Sequence, residues 1–217
     1  MRHFSFSILA MILSSASHAQ APSAAPSSAA PRNAITLYGG YRAGGSFSEQ
    51  DTGNTIDVKD SGAASLAVDI GIDPQRQVQI FLSHQSTHMD FSKVAAPKSS
   101  ALGESRLPLT VDYLHVGGTY FYEGTIGTGP YVVGGIGASI FQLDGPGYGQ
   151  EVFPSINLGL GYQWMFARHL AVRLEGRVYG NLLKGSGGMF CSGGCVVSIQ
   201  GNSLGQAEAL LGISLPF

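Results

Sequence analysis

Apolar and polar residues alternate with a period of two along most of this chain of 217 residues. In the stretch 153–165, for example, Ile156, Leu158 and Leu160 occupy one face, whereas Asn157 lies on the other. Such alternation is typical of β-strands with one apolar face. We predict eight strands of this kind. They span residues 34–47, 62–72, 77–90, 109–122, 129–142, 153–165, 169–182 and 203–217.

The connections between these strands alternate between short and long. The short ones are 73–76, 123–128 and 167–168, and the long ones are 48–61, 91–108, 143–152 and 183–202. Each strand can cross a bilayer at a tilt, which takes about 9–11 residues. Short turns at one end and long loops at the other are typical of membrane barrels. The sequence therefore predicts an all-β fold, an eight-stranded antiparallel up-and-down transmembrane β-barrel over residues 34–217.

Charged residues recur in the middle of several strands, on the face opposite the apolar one. A secreted soluble β-protein is the alternative, but its charges would seldom lie so near mid-strand. An eight-stranded barrel has an interior just wide enough for side chains, and an enclosed charge must be paired. We therefore interpret the inward set as a hydrogen-bonded plug, with an ion or proton path as the alternative. This lumen network comprises Arg42, Asp69, Gln79, His115, Asn157, Gln163, Arg173, Glu175, Arg177 and Glu208.

Strand order adds detail to this network. The first and last strands must be neighbours in a closed barrel, so Arg42 and Glu208 can meet. Arg173, Glu175 and Arg177 share one face at two-residue spacing and can form a chain of ion pairs.

The N-terminus is typical of an exported protein. Arg2 and His3 precede a short apolar run over 4–13 and a small-x-small site that ends at Ala19. We predict a signal peptide over 1–19, because a membrane-spanning helix needs about 20 apolar residues. Residues 20–33 are rich in Ala, Ser and Pro and are expected to form a flexible periplasmic tail. With an even number of strands, both termini would lie on the short-turn, periplasmic side.

Aromatic residues cluster near the short turns and the chain ends. Tyr and Trp favour the headgroup zone of a bilayer, and membrane barrels carry aromatic girdles there. We predict such a girdle, with ordinary strand propensity as the alternative. Its expected members are Tyr38, Tyr120, Phe121, Tyr122, Tyr131, Trp164, Phe166 and Phe217.

Two further groups could carry chemistry. Cys191 and Cys195 are the chain's two cysteines, and we predict a disulfide in an oxidising compartment. A metal site there is the alternative, but zinc needs about four ligands. His84 and Ser86 form a His-x-Ser pattern in which His could activate Ser. Lipid A deacylases, which are eight-stranded barrels, carry His-x-Ser-Asn, but here Thr87 follows.

Those enzymes also carry their motif later in the chain than the third strand. We therefore interpret His84 and Ser86 as a polar strand end that enters a loop, with Asp90 a possible carboxylate partner. The glycines of 134–137 lack the spacing of a nucleotide-binding motif. No catalytic residue, metal or cofactor is assigned.

Several stretches resemble the small bacterial outer-membrane β-barrel-domain family of the OmpA/OmpX-like eight-stranded type. They are 112–120, 130–137, 173–177, the cysteine-bearing loop 190–195 and the C-terminal strand. The resemblance implies a barrel in the outer membrane of a Gram-negative bacterium and no catalytic residue. The aromatic last residue, Phe217, looks like the assembly signal of such barrels.

We expect a monomer with a structural or surface-interaction role, and no enzyme. A narrow channel for ions or small solutes, or a lipid A-modifying enzyme that uses His84 and Ser86, are the alternatives. The expected partners are outer-membrane lipids, lipopolysaccharide, periplasmic chaperones and the barrel-assembly machinery. A net charge of −2 argues against nucleic acid, since phosphate binding needs a basic excess.

Overall fold

The computed structural model describes residues 33–48, 55–90, 106–144, 149–182, 187–189, 197–199 and 203–217. The expected signal peptide, nearly all of the tail and the two cysteines lie outside these ranges. Within them, no helix has the length and apolar character that crossing a membrane requires.

Twelve strands are found in the described residues, and eight of them are long. They are β1 (Ala34–Ala43), β2 (Ser46–Ser48), β3 (Thr55–Val58), β4 (Ser61–Gly71), β5 (Arg76–Asp90), β6 (Arg106–Phe121), β7 (Gly129–Leu143), β8 (Gln150–Ala167), β9 (Leu170–Leu182), β10 (Gly187–Met189), β11 (Val197–Ile199) and β12 (Ser203–Pro216).

The eight long strands close into an antiparallel barrel. Each pairs with its neighbour in the chain, and β1 closes the ring against β12. The backbone N–H of Phe217 donates to the carbonyl oxygen of Asn33 at 2.9 Å, so the two ends of the barrel domain meet. This arrangement confirms the predicted eight-stranded up-and-down fold, and all eight strands overlap the predicted ranges.

The first predicted strand, 34–47, is broken in the structure. Gly45 has a φ of 80°, a conformation that residues with a Cβ rarely adopt. At Gly44, an added Cβ would lie 2.1 Å from the carbonyl oxygen of Val58, so only glycine fits this close approach. The chain then continues in β2, which pairs with β3. The predicted loop 48–61 therefore contains part of a short hairpin, whose strands are too brief to show a period.

Side chains alternate between the outer wall and the lumen along the long strands, apart from a register shift between Met165 and Ala167. The outward apolar residues of β8 and β9 are Val152, Ile156, Leu158, Leu160, Tyr162, Trp164, Phe166, Leu170, Leu174, Val178 and Leu182. The inside is filled by polar and aromatic residues together with an aliphatic group that includes Leu107, Leu109, Val111 and Leu143.

The predicted aromatic girdle is wrong for three of its members. Tyr38, Phe121 and Tyr131 are buried inside the barrel at 0–1% exposure. On their strands, they occupy the alternate positions whose side chains point into the lumen. Their closeness to the turns does not change this direction. The remaining members, Tyr120, Tyr122, Trp164, Phe166 and Phe217, are exposed on the outside.

The turn between β4 and β5 is held by one carboxylate. Asp73 Oδ1 accepts backbone hydrogen bonds from Gln75 at 2.9 Å and Arg76 at 2.8 Å. Its Oδ2 accepts from Arg76 Nε at 2.6 Å. The hydrogen bond from the Gln75 amide, with that from the Arg76 side chain, lowers the pKa of Asp73 below its usual value.

Candidate functional site

The lumen contains two layers of charged side chains. In the first layer, Arg42 Nη2 lies 3.0 Å from Glu208 Oε2, because β1 and β12 place the two residues directly opposite each other. The Arg42 guanidinium also lies over the rings of Tyr113 and Tyr179, 4.9 and 5.0 Å from their centroids. Ion pairing and the two ring faces offset part of the loss of water around this cation, whose Nε and Nη1 have no hydrogen-bond partner among the described residues.

The second layer is built on Asp69. Its Oδ2 lies 2.6 Å from Arg173 Nη1, and its Oδ1 accepts from Gln79 Nε2 at 2.8 Å. Arg173 Nε donates to Gln163 Oε1 at 2.5 Å. The side chains of Asp69 and Arg173 both have 0% exposure. This pair therefore depends on its internal partners rather than on solvent.

Glu175 and Arg177 form the third ion pair of the described lumen. Glu175 also accepts from the hydroxyl of Tyr131 at 2.8 Å, and Arg177 Nη2 donates to Gln79 Oε1 at 2.7 Å. Arg173 belongs to Asp69 rather than to Glu175, so the three residues do not form one continuous chain of ion pairs. The stagger of the strands brings β4 across the lumen from β9, so Asp69 is the carboxylate that pairs with Arg173.

Two members of the predicted network have weaker roles. His115 Nε2 lies 2.8 Å from Ser155 Oγ, and its ring stacks on Tyr113 at 5.4 Å. Asn157 Oδ1 accepts from Arg177 Nη1 at 3.4 Å. Neither residue joins an ion pair among those found in the described ranges.

Sequence reasoning found Gln79, Asn157 and Gln163 but missed the other neutral members of this network. The missed residues are Ser65, Ser83, Gln85, Tyr113, Tyr179, Asn181 and Gln206. Each lies an even number of residues from a predicted inward residue on the same strand. Alternation alone could therefore have identified them. Aromatic residues were harder to place, because a tyrosine suits the lipid face and the lumen equally well.

The ion pairs of the described lumen balance each other in charge. The three ion pairs contribute three cations and three anions, and all six side chains have 0% exposure. Chemically, this arrangement can lock the strands together through ion pairs that are shielded from solvent.

A second polar group lies on the outer wall. Ser86 Oγ is 3.3 Å from His84 Nε2, and His84 Nδ1 is 2.6 Å from Asp112 Oδ1. The candidate partner Asp90 is not the carboxylate that contacts His84. It lies instead at 3.3 Å from Lys59 Nζ and 3.7 Å from Arg106 Nε.

Asp112 was missed as the partner of His84. Its position has the parity of Leu114 and Val116, which are exposed on the apolar wall. A carboxylate in a row of lipid-facing residues was the available signal. The pairing itself depends on the register of β5 with β6 across a long connection, which sequence patterns do not specify.

The remaining candidate residues lie at the edges of the described structure. Phe217 is 60% exposed at the turn end of the barrel. Cys191 and Cys195 lie outside the described residues, so their disulfide stays a prediction.

A closed eight-stranded barrel with an apolar wall and a filled polar lumen has the architecture of the OmpA/OmpX-like outer-membrane barrels. Comparison with solved structures supports this assignment of fold. Neisserial surface protein A superposes with a TM-score of 0.53 at 8% identity, covering 85% of this chain and 97% of that one. The outer-membrane protein AlkL, solved in lipid bilayers, gives 0.52 at 15% identity, with 92% and 97% covered.

OprG, an outer-membrane protein of Pseudomonas aeruginosa, gives a TM-score of 0.51 at 11% identity, covering 86% of this chain and 96% of that one. No family model matches the sequence, and no curated protein matches it. At such low identities, these likenesses concern the fold and leave the function to be argued from the residues.

Proposed function

We propose that the protein resides in the outer membrane of a Gram-negative bacterium, with both termini and the short turns in the periplasm. The apolar outer wall supports this location, because a barrel in water would expose those side chains at a large cost. The long connections would then face outward from the cell. The barrel-assembly machinery and periplasmic chaperones would act on the chain during biogenesis, with Phe217 as part of the assembly signal.

In this location, the protein has a structural and surface-interaction role as a monomer. The observation that carries this proposal is the lumen, where six charged side chains are paired and have 0% exposure. A filled lumen favours a rigid body over a channel. The outer wall and the long loops remain as contact surfaces, for outer-membrane lipids, lipopolysaccharide or other cells.

The rim of the barrel offers one such surface. Lys59 lies between β3 and β4, and its Nζ is 3.3 Å from Asp90 Oδ2 at the end of β5. Arg106, at the start of β6, approaches the same carboxylate. Charges of both signs at the rim suit contacts with lipopolysaccharide headgroups, which also carry both phosphates and bound cations.

Conductance across planar bilayers separates this role from the narrow-channel alternative. The full barrel should give no steady current, whereas a large porin in the same membranes should. The double variant Asp69→Ala/Arg173→Ala removes the second lumen layer and should allow small, measurable openings. A steady current through the unaltered protein would contradict the sealed-lumen role.

Envelope function can be tested in cells that lack the protein. These cells should be more sensitive to detergent than cells that contain the protein. In a separate experiment, vesicles made without the protein should retain less purified lipopolysaccharide than vesicles that contain it. Equal sensitivity together with equal retention would contradict the structural and surface-interaction role.

A further inference from the structure

The Ser86, His84 and Asp112 side chains form a connected group on the outer wall, separate from the lumen network. The side chains of His84 and Asp112 are 58% and 39% exposed, so the group faces outward. We propose that these three residues are a catalytic triad that hydrolyses long-chain acyl esters of membrane lipids. This activity lies beyond the structural role and does not depend on the lumen.

The order of the contacts matches the requirements of nucleophilic catalysis. Asp112 lies at Nδ1 of His84, where a carboxylate holds the ring proton. Nε2 is thereby left with a lone pair, and Ser86 Oγ lies beside this atom. An ion pair with a purely structural role would need only His84 and Asp112. The serine at the opposite ring nitrogen completes a sequence of nucleophile, base and orienting acid.

Regular strand geometry holds the three side chains together. His84 and Asp112 are direct partners in the β5–β6 register, so their Cβ atoms lie about 4.5–5.5 Å apart. Ser86 follows His84 by two residues and therefore projects from the same face. No loop movement is needed to assemble the group, which favours a preorganised site.

The height of the group in the membrane suits an ester substrate. Along β6, Tyr120 lies at the turn end, and Asp112 lies eight residues nearer the loop end. At about 3.3 Å per residue and a tilt near 40°, this separation is about 20 Å across the membrane. The apolar belt of such barrels is about 25 Å tall. The group therefore lies near the upper edge of the belt, where acyl chains join lipid headgroups.

An apolar groove adjoins the group. It has a volume of about 440 Å³, and His84 and Asp112 line it together with a row of leucines. These are Leu37, Leu66, Leu82 and Leu114, which are successive cross-strand partners over four neighbouring strands. A fatty acyl chain can lie along this row while its ester carbonyl approaches Ser86.

The reaction follows from these positions. Ser86 Oγ attacks the ester carbonyl carbon while His84 Nε2 takes the hydroxyl proton. The bond from that carbon to the alcohol oxygen then breaks, and His84 returns the proton to the leaving alcohol. Water from the membrane surface next attacks the acyl-Ser86 carbonyl, again with His84 as base. Fatty acid is released and Ser86 is restored, with no net redox change.

The developing oxyanion needs a hydrogen-bond donor near Ser86. Backbone N–H groups within a paired strand are committed to the ladder, so a side chain must donate. Thr110 is the direct cross-strand partner of Ser86 and is partly exposed on the same wall. Its hydroxyl is the donor that the register provides.

The test uses the full chain folded into vesicles that contain either diacyl phosphatidylethanolamine or lipopolysaccharide. Released fatty acid is measured by mass spectrometry, and a fluorophosphonate probe reports a reactive serine. We expect release from one of the two lipids and labelling of Ser86. Ser86→Ala should remove both signals, and Asp112→Asn should lower release up to about 10⁴-fold. Thr110→Val should lower release about 10²-fold.

Ser46→Ala, an exposed serine on β2, is the matched control and should leave both signals unchanged. The altered triad side chains lie on the outer wall, so we expect the variants to fold. Heat-modifiable electrophoretic migration checks this for every variant. The lipid that releases fatty acid identifies the substrate source. Absence of release from both lipids together with an unlabelled Ser86, or release that persists in Ser86→Ala, overturns the proposal.

Discussion

Replacing Asp69 with Asn tests whether the lumen charges are truly desolvated. The change keeps the size of the side chain but removes the negative charge beside Arg173, which lies 2.6 Å away. Gln79 can still donate to the remaining amide oxygen, but the new NH₂ group would face the guanidinium. Both side chains have 0% exposure, so the intact pair is shielded from solvent.

The expected cost is that of a broken buried ion pair, about 3–5 kcal/mol in the free energy of unfolding. With a urea dependence of about 2 kcal/mol per molar, the unfolding midpoint should fall by about 2 M. Unfolding from lipid vesicles can be followed through Trp164, the only tryptophan, which lies exposed on the outer wall.

Two further variants make this experiment decisive. Asp73→Asn alters a carboxylate in the exposed β4–β5 turn and should move the midpoint far less. The double variant Asp69→Asn/Arg173→Met removes both charges and should recover a coupling energy of about 1–3 kcal/mol. An Asp69→Asn midpoint equal to that of Asp73→Asn would refute the reasoning.

Three other expectations follow from single contacts. Gly212→Val should destabilise the barrel by about 1–3 kcal/mol in urea unfolding, because an added Cβ would lie 2.5 Å from the Tyr38 ring. Gly176→Val is the control and should not destabilise the barrel, because the space around Gly176 is open. Because its pKa is lowered, Asp73 stabilises the β4–β5 turn at pH values above its usual pKa near 3.8, and this contribution is lost as the pH falls through the lowered value. Amide exchange at Gln75 and Arg76 should therefore quicken in acid relative to Asp73→Asn, and no difference would contradict this. Deleting Phe217 should reduce the folded fraction seen by heat-modifiable migration, and normal assembly of the shortened chain would count against an assembly signal.

The alternation of side chains made the barrel predictable. Neighbouring first and last strands follow from closure, so Arg42 and Glu208 can meet, and the register of β1 with β12 places them directly opposite each other. The partner of Arg173 could not be predicted from barrel closure. It depends on how far each strand is staggered along the next, which brings Asp69 of β4 across the lumen.

The outer-wall group illustrates a second limit. His84 and Ser86 were visible as a short pattern, but their carboxylate comes from another strand. The register of β5 with β6 decides which carboxylate aligns with His84, and the sequence pattern does not specify that register. Tyr38 and Tyr131 show a third limit, because an aromatic residue suits the lipid interface and the lumen equally.

Spin labels along β8 test most directly whether this barrel spans a membrane. Single cysteines would replace Ile156, Leu158 and Leu160 in a chain whose Cys191 and Cys195 are changed to serine. In lipid vesicles, we expect all three labels to collide often with oxygen and rarely with a water-soluble nickel chelate, since oxygen concentrates in hydrocarbon. Frequent collision with the chelate at all three positions would contradict a lipid-facing wall.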